Sequence, residues 1–342
     1  MQNRSPKHSI MKKEALVLVN VGTPDQPDTR HVRRYLSEFL NDPLVIDLPR
    51  PWRNLLVNLV IVPFRSPRSA RLYRRLWTPE GSPLLFHLER LAEKVQAELP
   101  GTDVYAAMRY GNPSLEKVLM HIRSADYQTI TILPLYPHYA TSTTGSVEKM
   151  ASKLFPGDRR ITVIPQFWNH PAWAEVMTRH IAAYQPDRFD HVLFSYHGLP
   201  IRQVQKVHPE RPVKGCPCTH TLPEHGEKCY LAGCHATSRM LAEQLRLQEG
   251  GWSTAFQSRL SRNWLSPFTD ETLVRLAGEG KKKVLVIPAS FVADCLETTV
   301  EIDGEYHALF RGHGGNELVM TPSLNSRSEW ASAITQIIRS GE

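Results

Sequence analysis

A histidine at the end of an apolar segment is the residue best placed to carry chemistry. The segment HVLFSYHGLP (191–200) reads as a buried strand that stops at His197 and a Gly-Leu-Pro turn. Open α/β sheets keep their reactive groups beyond the carboxyl ends of the strands, and an imidazole with an ordinary pKa near ~6.5 can accept a proton or bind a metal. A structural histidine, satisfied by hydrogen bonds, is the alternative, but the Gly-Leu-Pro turn favours a functional one.

Four carboxylates follow the predicted strand 283–291. Asp294 comes first, and Glu297, Glu301 and Glu305 recur at every fourth position. They therefore lie along one face of a predicted helix over 295–310. Such a row repels itself by roughly a few tenths of a kcal/mol per pair, and a solvated surface is the alternative interpretation. Because the helix begins at a strand end, its first turn should face a cleft, and the row would then conduct protons or hard cations between the cleft and solvent.

Four of the five cysteines are crowded into one short segment. Cys216, Cys218, Cys229 and Cys234 have the spacing C-x-C-x10-C-x4-C, and the fifth, Cys295, lies far along the chain. In a cytosolic protein this density indicates metal ligation over disulfides. Four thiolates hold either zinc or an iron–sulfur cluster. The short C-x-C fits zinc sites less well, and a structural zinc site stays as the alternative.

Aromatic and basic side chains are predicted at or just past several other strand ends. They are Arg109, Tyr110, Tyr136, His138 and Trp264. Aromatic walls together with arginine suit a flat, apolar ligand that carries carboxylates. The sequence contains neither G-x-G-x-x-G nor G-x-x-x-x-G-K-[ST], so nucleotide binding has no motif in its favour.

The composition narrows the class of protein. The chain has 342 residues, enough for about two domains, and is 41% hydrophobic and 22% charged. Its net charge is +7, without long homopolymeric basic runs. This weakens a nucleic-acid role and leaves an anionic substrate or an anionic lipid surface as a partner. The first ten residues lack the apolar core of a signal peptide, and no apolar run is long enough to span a bilayer. We expect a cytoplasmic protein.

One apolar stretch is unusual for an α/β domain. Residues 51–64, which we call the apolar lip, run apolar from 55 to 64 with Asn58 as the one interruption. The bracketing arginines are Arg50, Arg53, Arg65, Arg68, Arg71, Arg74 and Arg75. A buried helix with a solvated basic end is one interpretation. The other is an apolar surface at the mouth of a pocket or on the inner face of the cell membrane.

Strands alternate with helices throughout, which predicts an α/β fold with parallel sheets flanked by helices. The two halves also look alike, because LVLVNVGTP (16–24) matches VLFSYHGLP (192–200) and sets Val21 opposite His197. We therefore predict two similar domains around one cleft. The predicted bounds are 1–13 for a disordered tail, 14–170 and 171–325 for the domains, and 326–342 for a C-terminal helix.

With these residues in view, the chain resembles the ferrochelatases, lyases that insert ferrous iron into a porphyrin to make haem. The resemblance covers roughly residues 14–325 and rests on several motifs together. They are LVNVGTP (18–24), YRR (73–75), MRYGNPS (108–114), LYPHYATSTTGS (135–146), FSYHGLP (194–200), FQSR with NWLSPFTDET (256–272) and PASFVADCLETTVEID (288–303). The family fold, the chelatase fold, has two similar Rossmann-like domains around a porphyrin cleft.

The resemblance implies a role for each candidate residue. His197 corresponds to a histidine that accepts pyrrole protons or binds the iron, and Glu297 to an essential glutamate across the cleft. Glu301 and Glu305, with Asp294, fall on an acidic path that leads away from it. The positions that correspond to the porphyrin pocket are Val21, Arg74, Arg109, Tyr110, Tyr136, His138 and Trp264. Several members have histidine where this chain has Cys295, so a metal-relay role is not carried over to that position.

The implied reaction inserts Fe²⁺ into protoporphyrin IX, or into coproporphyrin, with release of two protons. The four-cysteine segment 216–234 resembles the internal 2Fe–2S segment of certain bacterial ferrochelatases, and the apolar lip resembles that of membrane-associated members. The expected partners are a porphyrin and Fe²⁺, with peripheral membrane contact and no nucleic acid. Two alternatives stay open, namely a non-catalytic tetrapyrrole-binding protein and a chelatase for cobalt or nickel.

Overall fold

Two four-stranded parallel sheets form the frame of the molecule, which is known from a computed structural model. The structure describes residues 13–207, 212–213 and 215–341. The disordered tail predicted for residues 1–13 falls, apart from Lys13, outside the described residues. The first sheet consists of β1 (Glu14–Thr23), β2 (Thr102–Gly111), β3 (Thr129–Pro134) and β4 (Ile161–Val163). The second consists of β5 (His191–His197), β6 (Trp252–Gln257), β7 (Lys283–Ile287) and β8 (Glu317–Met320).

The two sheets repeat the same design. Their strand orders are β2-β1-β3-β4 and β6-β5-β7-β8, and all neighbouring pairs are parallel. The repeat extends to the turns, since Met108 N donates to Pro113 O beyond β2 and Phe256 N donates to Pro267 O beyond β6. The predicted α/β class, with two similar halves each built on a parallel sheet, is confirmed.

A glycine follows each of the two matched residues because a neighbouring strand approaches too closely for a side chain. Gly22, after Val21, has a φ of +124°, and a Cβ there would lie 1.8 Å from Tyr110 O of β2. Gly198, after His197, donates its N–H to Gln257 O of β6 at 2.8 Å, and a Cβ would lie 2.7 Å from that oxygen. The matched glycines are therefore a packing requirement at the carboxyl ends of the central strands.

Helices cover both faces of each sheet. Those of the first half are α1 (Thr29–Leu40), α2 (Arg50–Leu55), α3 (Val62–Leu76), α4 (Pro83–Glu98), α5 (Leu115–Ser124) and α6 (Thr144–Leu154). Those of the second half are α7 (Pro171–Ala182), α8 (Ile201–Gln205), α9 (Tyr230–Gln244), α10 (Thr269–Gly278), α11 (His307–Gly312) and α12 (Ser328–Ser340). π-Helical segments over Leu56–Ile61 and Leu296–Tyr306 join α2 to α3 and precede α11.

One continuous core joins the two sheets. Successive residues of each central strand face opposite helix layers, as strands buried on both faces require. In β1, Leu16 packs with α4 and Val17 with α5 and α6, while in β5 Phe194 packs with α9 and Leu193 with α10 and α11. Leu16 and Phe194 belong to the same core, to which α4, α7, α9 and α12 all contribute. The C-terminal helix α12 packs on α4 and α7 and so ties the two halves together.

The segment after β7 differs from its prediction in two ways. The strand expected to reach residue 291 ends at Ile287, because Pro288 has no N–H to continue the ladder. The helix expected over 295–310 is π-helical from Leu296 to Tyr306 and α-helical from His307 to Gly312. In a π-helix the backbone bonds join residues five apart, so side chains four and five positions apart still stack. The glutamate row therefore survives the change of helix type.

One face of the apolar lip is exposed, while Val57 and Val62 on its other face are buried. Its uncovered side chains are Trp52, Leu55, Leu56, Leu59, Val60 and Phe64, the last with 81% of its surface accessible. The buried-helix interpretation of this stretch is therefore wrong. Asn58, its one polar interruption, accepts hydrogen bonds from Ser37 Oγ at 2.7 Å and Asn41 Nδ2 at 3.0 Å. These bonds anchor the π-helical turn to the end of α1. Within the described ranges, no helix is long and apolar enough to cross a membrane.

Candidate active site

His197 ends β5 with its ring held in one orientation. Its Nδ1 lies 2.6 Å from the carbonyl oxygen of Gly198. Because a carbonyl only accepts, Nδ1 carries the proton of the neutral ring, and Nε2 keeps the lone pair. The His197 N–H donates to Ser290 Oγ at 3.1 Å, and the His197 carbonyl accepts from the Tyr230 hydroxyl at 2.8 Å. The half-buried imidazole can therefore serve as a base or a metal ligand through Nε2.

Two aromatic rings stand beside His197. The ring centroids of Trp264 and Phe291 lie 6.4 and 6.2 Å from the imidazole. Trp264 is placed by a backbone bridge to Pro200, and Phe291 by the turn that replaces the end of the expected strand. The structure thus brings Trp264 to His197, and flat walls beside a base suit a planar ligand.

Glu297 lies in the first turn of the π-helix, at the same edge of the second sheet as His197. Its backbone carbonyl accepts from Gln257 Nε2 at 2.8 Å, and Gln257 is the β6 neighbour of His197 in the ladder. The half-buried Glu297 carboxylate interacts with the Cys295 thiol and with the Tyr73 phenol of α3. Burial, and then the charge of Glu297, raises the pKa of Cys295. The thiol therefore stays protonated beside the carboxylate.

Glu301 is the most constrained member of the glutamate row. Its carboxylate accepts from Ser258 N at 2.9 Å, from Gln257 Nε2 at 3.2 Å and from the Tyr306 hydroxyl at 2.7 Å. The Ser258 hydroxyl also donates to it, from a backbone with a φ of +61° that few non-glycine residues adopt. Glu305 is exposed, whereas Glu297 and Glu301 are half-buried. The row therefore runs from the site edge to solvent.

Asp294 fastens the segment that follows β8. Its carboxylate accepts from Asn325 Nδ2 at 2.7 Å and from Ser323 N at 3.0 Å, and its own N–H donates to Asn325 Oδ1 at 2.8 Å. These bonds give the carboxylate a structural task that the sequence did not indicate.

A buried carboxylate organises the wall contributed by the first sheet. Asp42 accepts from Arg109 Nη2 at 2.6 Å, from the Tyr110 hydroxyl at 2.9 Å and from Ser146 Oγ at 2.6 Å. Burial opposes ionisation, but the bonds from Ser146 and Leu44 N and the charge of Arg109 outweigh it and lower the pKa of Asp42. Arg109, expected to face a ligand carboxylate, is thus paired within the protein.

Two further pocket candidates, the half-buried Tyr136 and the buried His138, are uncharged. The Tyr136 hydroxyl has no hydrogen-bond partner among the described residues, and burial raises its pKa. It is therefore a neutral donor that a ligand can satisfy. His138 lies in the shared core with Nε2 at 2.9 Å from Thr237 Oγ1. Burial lowers its pKa to about 3, so the ring is neutral.

Val21 and Arg74 occupy different surroundings. Val21 is half-buried and packs in a cluster with Tyr110 and, from the second half, Leu296. The end of β1 and the start of the π-helix therefore pack against the same apolar cluster. Arg74 is exposed on α3, while its neighbour Arg75 lies against the π-helix, with Nη2 3.2 Å from where a Cβ of Gly304 would stand.

Sequence reasoning missed several residues of this site. Asp42, Ser146, Ser290 and Tyr230 all hold a candidate residue through a hydrogen bond. Asp42 and Tyr230 stand at no predicted strand end and belong to no motif. Ser146 closes the motif LYPHYATSTTGS and Ser290 lies in PASFVADC, so the motifs were a signal that these serines have a role.

The five cysteines are all buried, and none of them forms a disulfide. The thiols of Cys216, Cys218 and Cys229 are mutual neighbours, and Cys218 and Cys229 share a hydrogen bond. The bond from Cys218 lowers the pKa of Cys229. Burial raises the pKa of Cys234, whose thiol contacts the Tyr230 hydroxyl. Across the described ranges, no three His, Cys, Asp or Glu side chains are arranged to hold a metal ion.

Solved structures with the same fold include chelatases. A protein from Deinococcus radiodurans, described as multi-domain and structurally similar to chelatases, matches with a TM-score of 0.52 at 13% identity, over 95% of this chain and 54% of its own. CbiX, described as the terminal enzyme for the biosynthesis of sirohaem in denitrifying bacteria, matches with a TM-score of 0.50 at 14% identity, over 96% of this chain and 99% of its own. The predicted chelatase fold is confirmed.

Sequence relatives are much closer. A ferrochelatase of Coxiella burnetii (strain Dugway 5J108-111) is 41% identical over 96% of this chain and 93% of its own length. Those of Azotobacter vinelandii and Legionella pneumophila (strain Lens) are 40% and 41% identical, over 96% and 95% of this chain and 99% and 98% of their own lengths. The ferrochelatase family model matches residues 13–342. This chain is a member of the ferrochelatase family.

Proposed function

We propose that this chain inserts Fe²⁺ into a porphyrin. The observation that carries the proposal is a base and a carboxylate at one edge of the second sheet, namely His197, with Nδ1 bonded to the Gly198 carbonyl, and Glu297. A tetrapyrrole carrier needs a pocket but neither of these groups. The names of the relatives, all ferrochelatases, agree with the proposal.

His197 would act as the proton acceptor. Two pyrrole N–H bonds break as iron–nitrogen bonds form, iron remains Fe²⁺, and two protons leave. Binding of the macrocycle against the walls would tilt the pyrrole nitrogens out of the ring plane, with strain offset by contacts elsewhere on the ligand. Nε2 of His197 carries the lone pair of the ring and is not engaged by the Gly198 carbonyl. It can therefore accept a proton without reorientation of the imidazole.

Glu297, Glu301 and Glu305 would move charge between the site and solvent. Carboxylate oxygens bind hard cations and also accept protons, so the row suits Fe²⁺ on its way in or protons on their way out. The increase in exposure from Glu297 to Glu305 supports a direction along the row. Asp294, with its oxygens engaged by Asn325 and Ser323, would support the row as an anchor at its start.

The porphyrin itself would lie between the two walls. Trp264 and Val21 offer flat or apolar contact, and the unsatisfied Tyr136 hydroxyl offers a donor. His138 would support the pocket from within the shared core, where it is bonded to Thr237. Arg109 and Tyr110 would shape the pocket indirectly, through their hydrogen bonds to Asp42. Exposed Arg74 would meet a ligand carboxylate. The exposed apolar lip favours protoporphyrin IX, which is more apolar, over coproporphyrin.

A metal-competition assay tests this function. The purified chain is given protoporphyrin IX or coproporphyrin with Fe²⁺, Co²⁺ or Ni²⁺ under anaerobic conditions, and metalloporphyrin is followed by absorbance. We expect turnover with Fe²⁺ and a higher kcat/KM for protoporphyrin IX. Preferred turnover of Co²⁺ or Ni²⁺ would make it a chelatase for those metals, and binding without turnover would make it a tetrapyrrole carrier.

The four-cysteine segment would hold a 2Fe–2S cluster. The donor chemistry fits, since four buried thiols share one apolar core and the Cys218 thiol hydrogen-bonds with those of Cys216 and Cys229. The buried Trp168 indole N–H has no described partner and lies 3.3 Å from where a Cβ of Gly233, the residue before Cys234, would stand. The thiols would draw closer on ligation. The cluster would supply rigidity or sensing, since porphyrin metallation transfers no electron.

Metal analysis separates the cluster from its alternative, structural zinc. We expect the anaerobically purified chain to be coloured and to contain iron and acid-labile sulfide in equal amounts. Cys218→Ser should lose both, because a cluster needs all its thiolates. Cys295→Ser, at the one cysteine outside the segment, should keep both. A colourless chain with stoichiometric zinc would establish the zinc site instead.

The apolar lip would rest on a membrane surface. Its six exposed apolar side chains form one helical surface, and the exposed arginines that follow on α3 match the charge of anionic lipids. Flotation with vesicles of phosphatidylglycerol and phosphatidylcholine measures this contact. Replacing Leu55, Leu56 and Phe64 by serine should reduce the bound fraction at least about tenfold, because roughly 25 cal/mol is lost for each Å² of apolar surface no longer buried.

A control for the lip uses equally exposed apolar side chains elsewhere. Met120 and Leu260 are 57% and 70% exposed, and their replacement by serine should leave vesicle binding unchanged. Equal flotation of the lip variant and the unaltered chain would rule out the lip as the membrane contact.

A further inference from the structure

The Tyr230 hydroxyl reaches the backbone of His197 from the cysteine segment. Tyr230 opens α9 directly after Cys229, which caps the helix by accepting from Ala232 N at 3.4 Å. Its hydroxyl donates to the His197 carbonyl at 2.8 Å. The ring is 7% exposed and packs edge-on against His138, with centroids 5.9 Å apart. The phenol ring is therefore held in place, and its hydroxyl lies within reach of the His197 carbonyl, the Ser290 hydroxyl and the Cys234 thiol.

The peptide that Tyr230 holds controls the imidazole. The carbonyl of His197 and the N–H of Gly198 belong to one planar unit, gripped by Tyr230 on its oxygen and by Gln257 O on its nitrogen at 2.8 Å. The next carbonyl along, that of Gly198, lies 2.6 Å from His197 Nδ1. If the first peptide turns, the Gly198 carbonyl moves, and the contact that keeps the proton on Nδ1 loosens. The Tyr230 hydroxyl thus orients the His197 ring through the peptide that joins His197 to Gly198.

We infer that Tyr230 is a positioning residue that couples the cysteine segment to His197. The inference rests on the proposed function of His197. The same hydroxyl also contacts the Cys234 thiol, and Cys229 and Cys234 flank Tyr230 on the first turns of α9. Whatever draws these two cysteines together also fixes the start of α9, and with it the hydroxyl. Ligation of the segment therefore favours the His197 orientation in which Nε2 faces the substrate.

Tyr230→Phe removes the hydroxyl alone. We expect kcat for Fe²⁺ insertion to fall about three- to tenfold, the range that one lost neutral hydrogen bond converts to. The dissociation constant of metal-free protoporphyrin IX, from fluorescence quenching, should change less than about twofold, because no ligand contact is lost. Tyr105→Phe is the matched control, since it removes a hydroxyl bonded to Tyr127 at 2.6 Å in the first half. It should lower the melting temperature equally and leave kcat unchanged.

A second readout does not depend on activity. In the metal-free and porphyrin-free chain, ¹⁵N NMR of the histidine rings reports the tautomer of His197, assigned by the signal lost in His197→Ala. We expect a single Nδ1–H tautomer in the unaltered chain and in Tyr105→Phe, and a mixture in Tyr230→Phe. An unchanged tautomer in Tyr230→Phe overturns the inference, whether or not the chain proves to insert iron. Absence of turnover with an altered tautomer would overturn the proposed function alone.

A double-mutant comparison tests the link to the cysteines. Cys234→Ala in the unaltered chain should shift the His197 tautomer towards the mixture, because the start of α9 loses one of its tethers. In the Tyr230→Phe background the same substitution should add nothing, since the hydroxyl that transmits the change is gone. Independent, additive effects of the two substitutions would show that the segment does not act through Tyr230.

Discussion

His197→Ala is expected to lower kcat for Fe²⁺ insertion by about 10²- to 10⁴-fold, the usual contribution of a positioned acid–base group. The Nδ1 contact with the Gly198 carbonyl leaves Nε2 as the acceptor, and alanine offers no substitute. Porphyrin should still bind, because Trp264 and the first-sheet wall do not depend on the imidazole. The absorbance of the metalloporphyrin product measures kcat, and fluorescence quenching measures porphyrin affinity.

Chemical rescue by free imidazole tests whether the lost rate is due to the missing His197 ring. The truncated side chain leaves space beside Trp264 and Phe291, so free imidazole should restore part of the rate in His197→Ala. His313→Ala is the matched control, at an exposed histidine of the same half, and it should keep the full rate without response to imidazole. A His197→Ala enzyme that turned over at the rate of the unaltered chain would remove His197 from the mechanism.

Glu297→Gln is expected to lower kcat/KM for Fe²⁺ by about 10²-fold or more. An amide is the same size as the carboxylate but holds neither a cation nor a transferable proton. The backbone bond from Gln257 goes to the Glu297 carbonyl and not to its side chain, so the helix start is preserved. Steady-state rates at varied Fe²⁺ and fixed porphyrin measure the change. If Glu297 receives the metal, the KM for Fe²⁺ should rise as kcat falls.

The corresponding substitutions at Glu301 and Glu305 should have progressively smaller effects on the Fe²⁺ dependence. Glu301→Gln should have a smaller effect on the Fe²⁺ step, and Glu305→Gln, at the exposed end, the smallest. Asp303→Asn lies on the same π-helix with an exposed side chain and serves as the control. A Glu297→Gln enzyme with the same Fe²⁺ dependence as Asp303→Asn would refute a metal or proton role for Glu297.

The local sequence pattern was enough to predict the central strands and to single out the most reactive residues. Apolar runs that stop at Gly or Pro located β1 and β5. The structure adds that the matched glycines, Gly22 and Gly198, stand where a neighbouring strand approaches closely. His197 could be singled out because it stands at such a stop. Glu297 could be singled out because it follows one. These features depend on residues adjacent in the chain, which a sequence displays directly.

The sequence did not predict that the helix over Leu296–Tyr306 is a π-helix. The row of glutamates has a spacing that an α-helix and a π-helix both place on one face, so the pattern does not distinguish them. Packing of Leu296–Tyr306 against α3, where Arg75 lies close to Gly304, accompanies the wider helix. The same holds for the apolar lip, whose composition suits a core or a surface equally. Only the structure, which leaves Phe64 uncovered, distinguishes the two.

The sequence by itself determined the family, the two-sheet architecture and the identity of the residues at the strand ends, because each is written in short motifs and in their repetition. The tertiary structure decided what those residues face. Arg109 meets Asp42, which lies 67 positions away in the chain, and His197 is held by Ser290 and Tyr230, 93 and 33 positions away. Such pairings depend on how the sheets and helices pack, since a buried charge or ring takes the partner that packing brings within hydrogen-bonding distance.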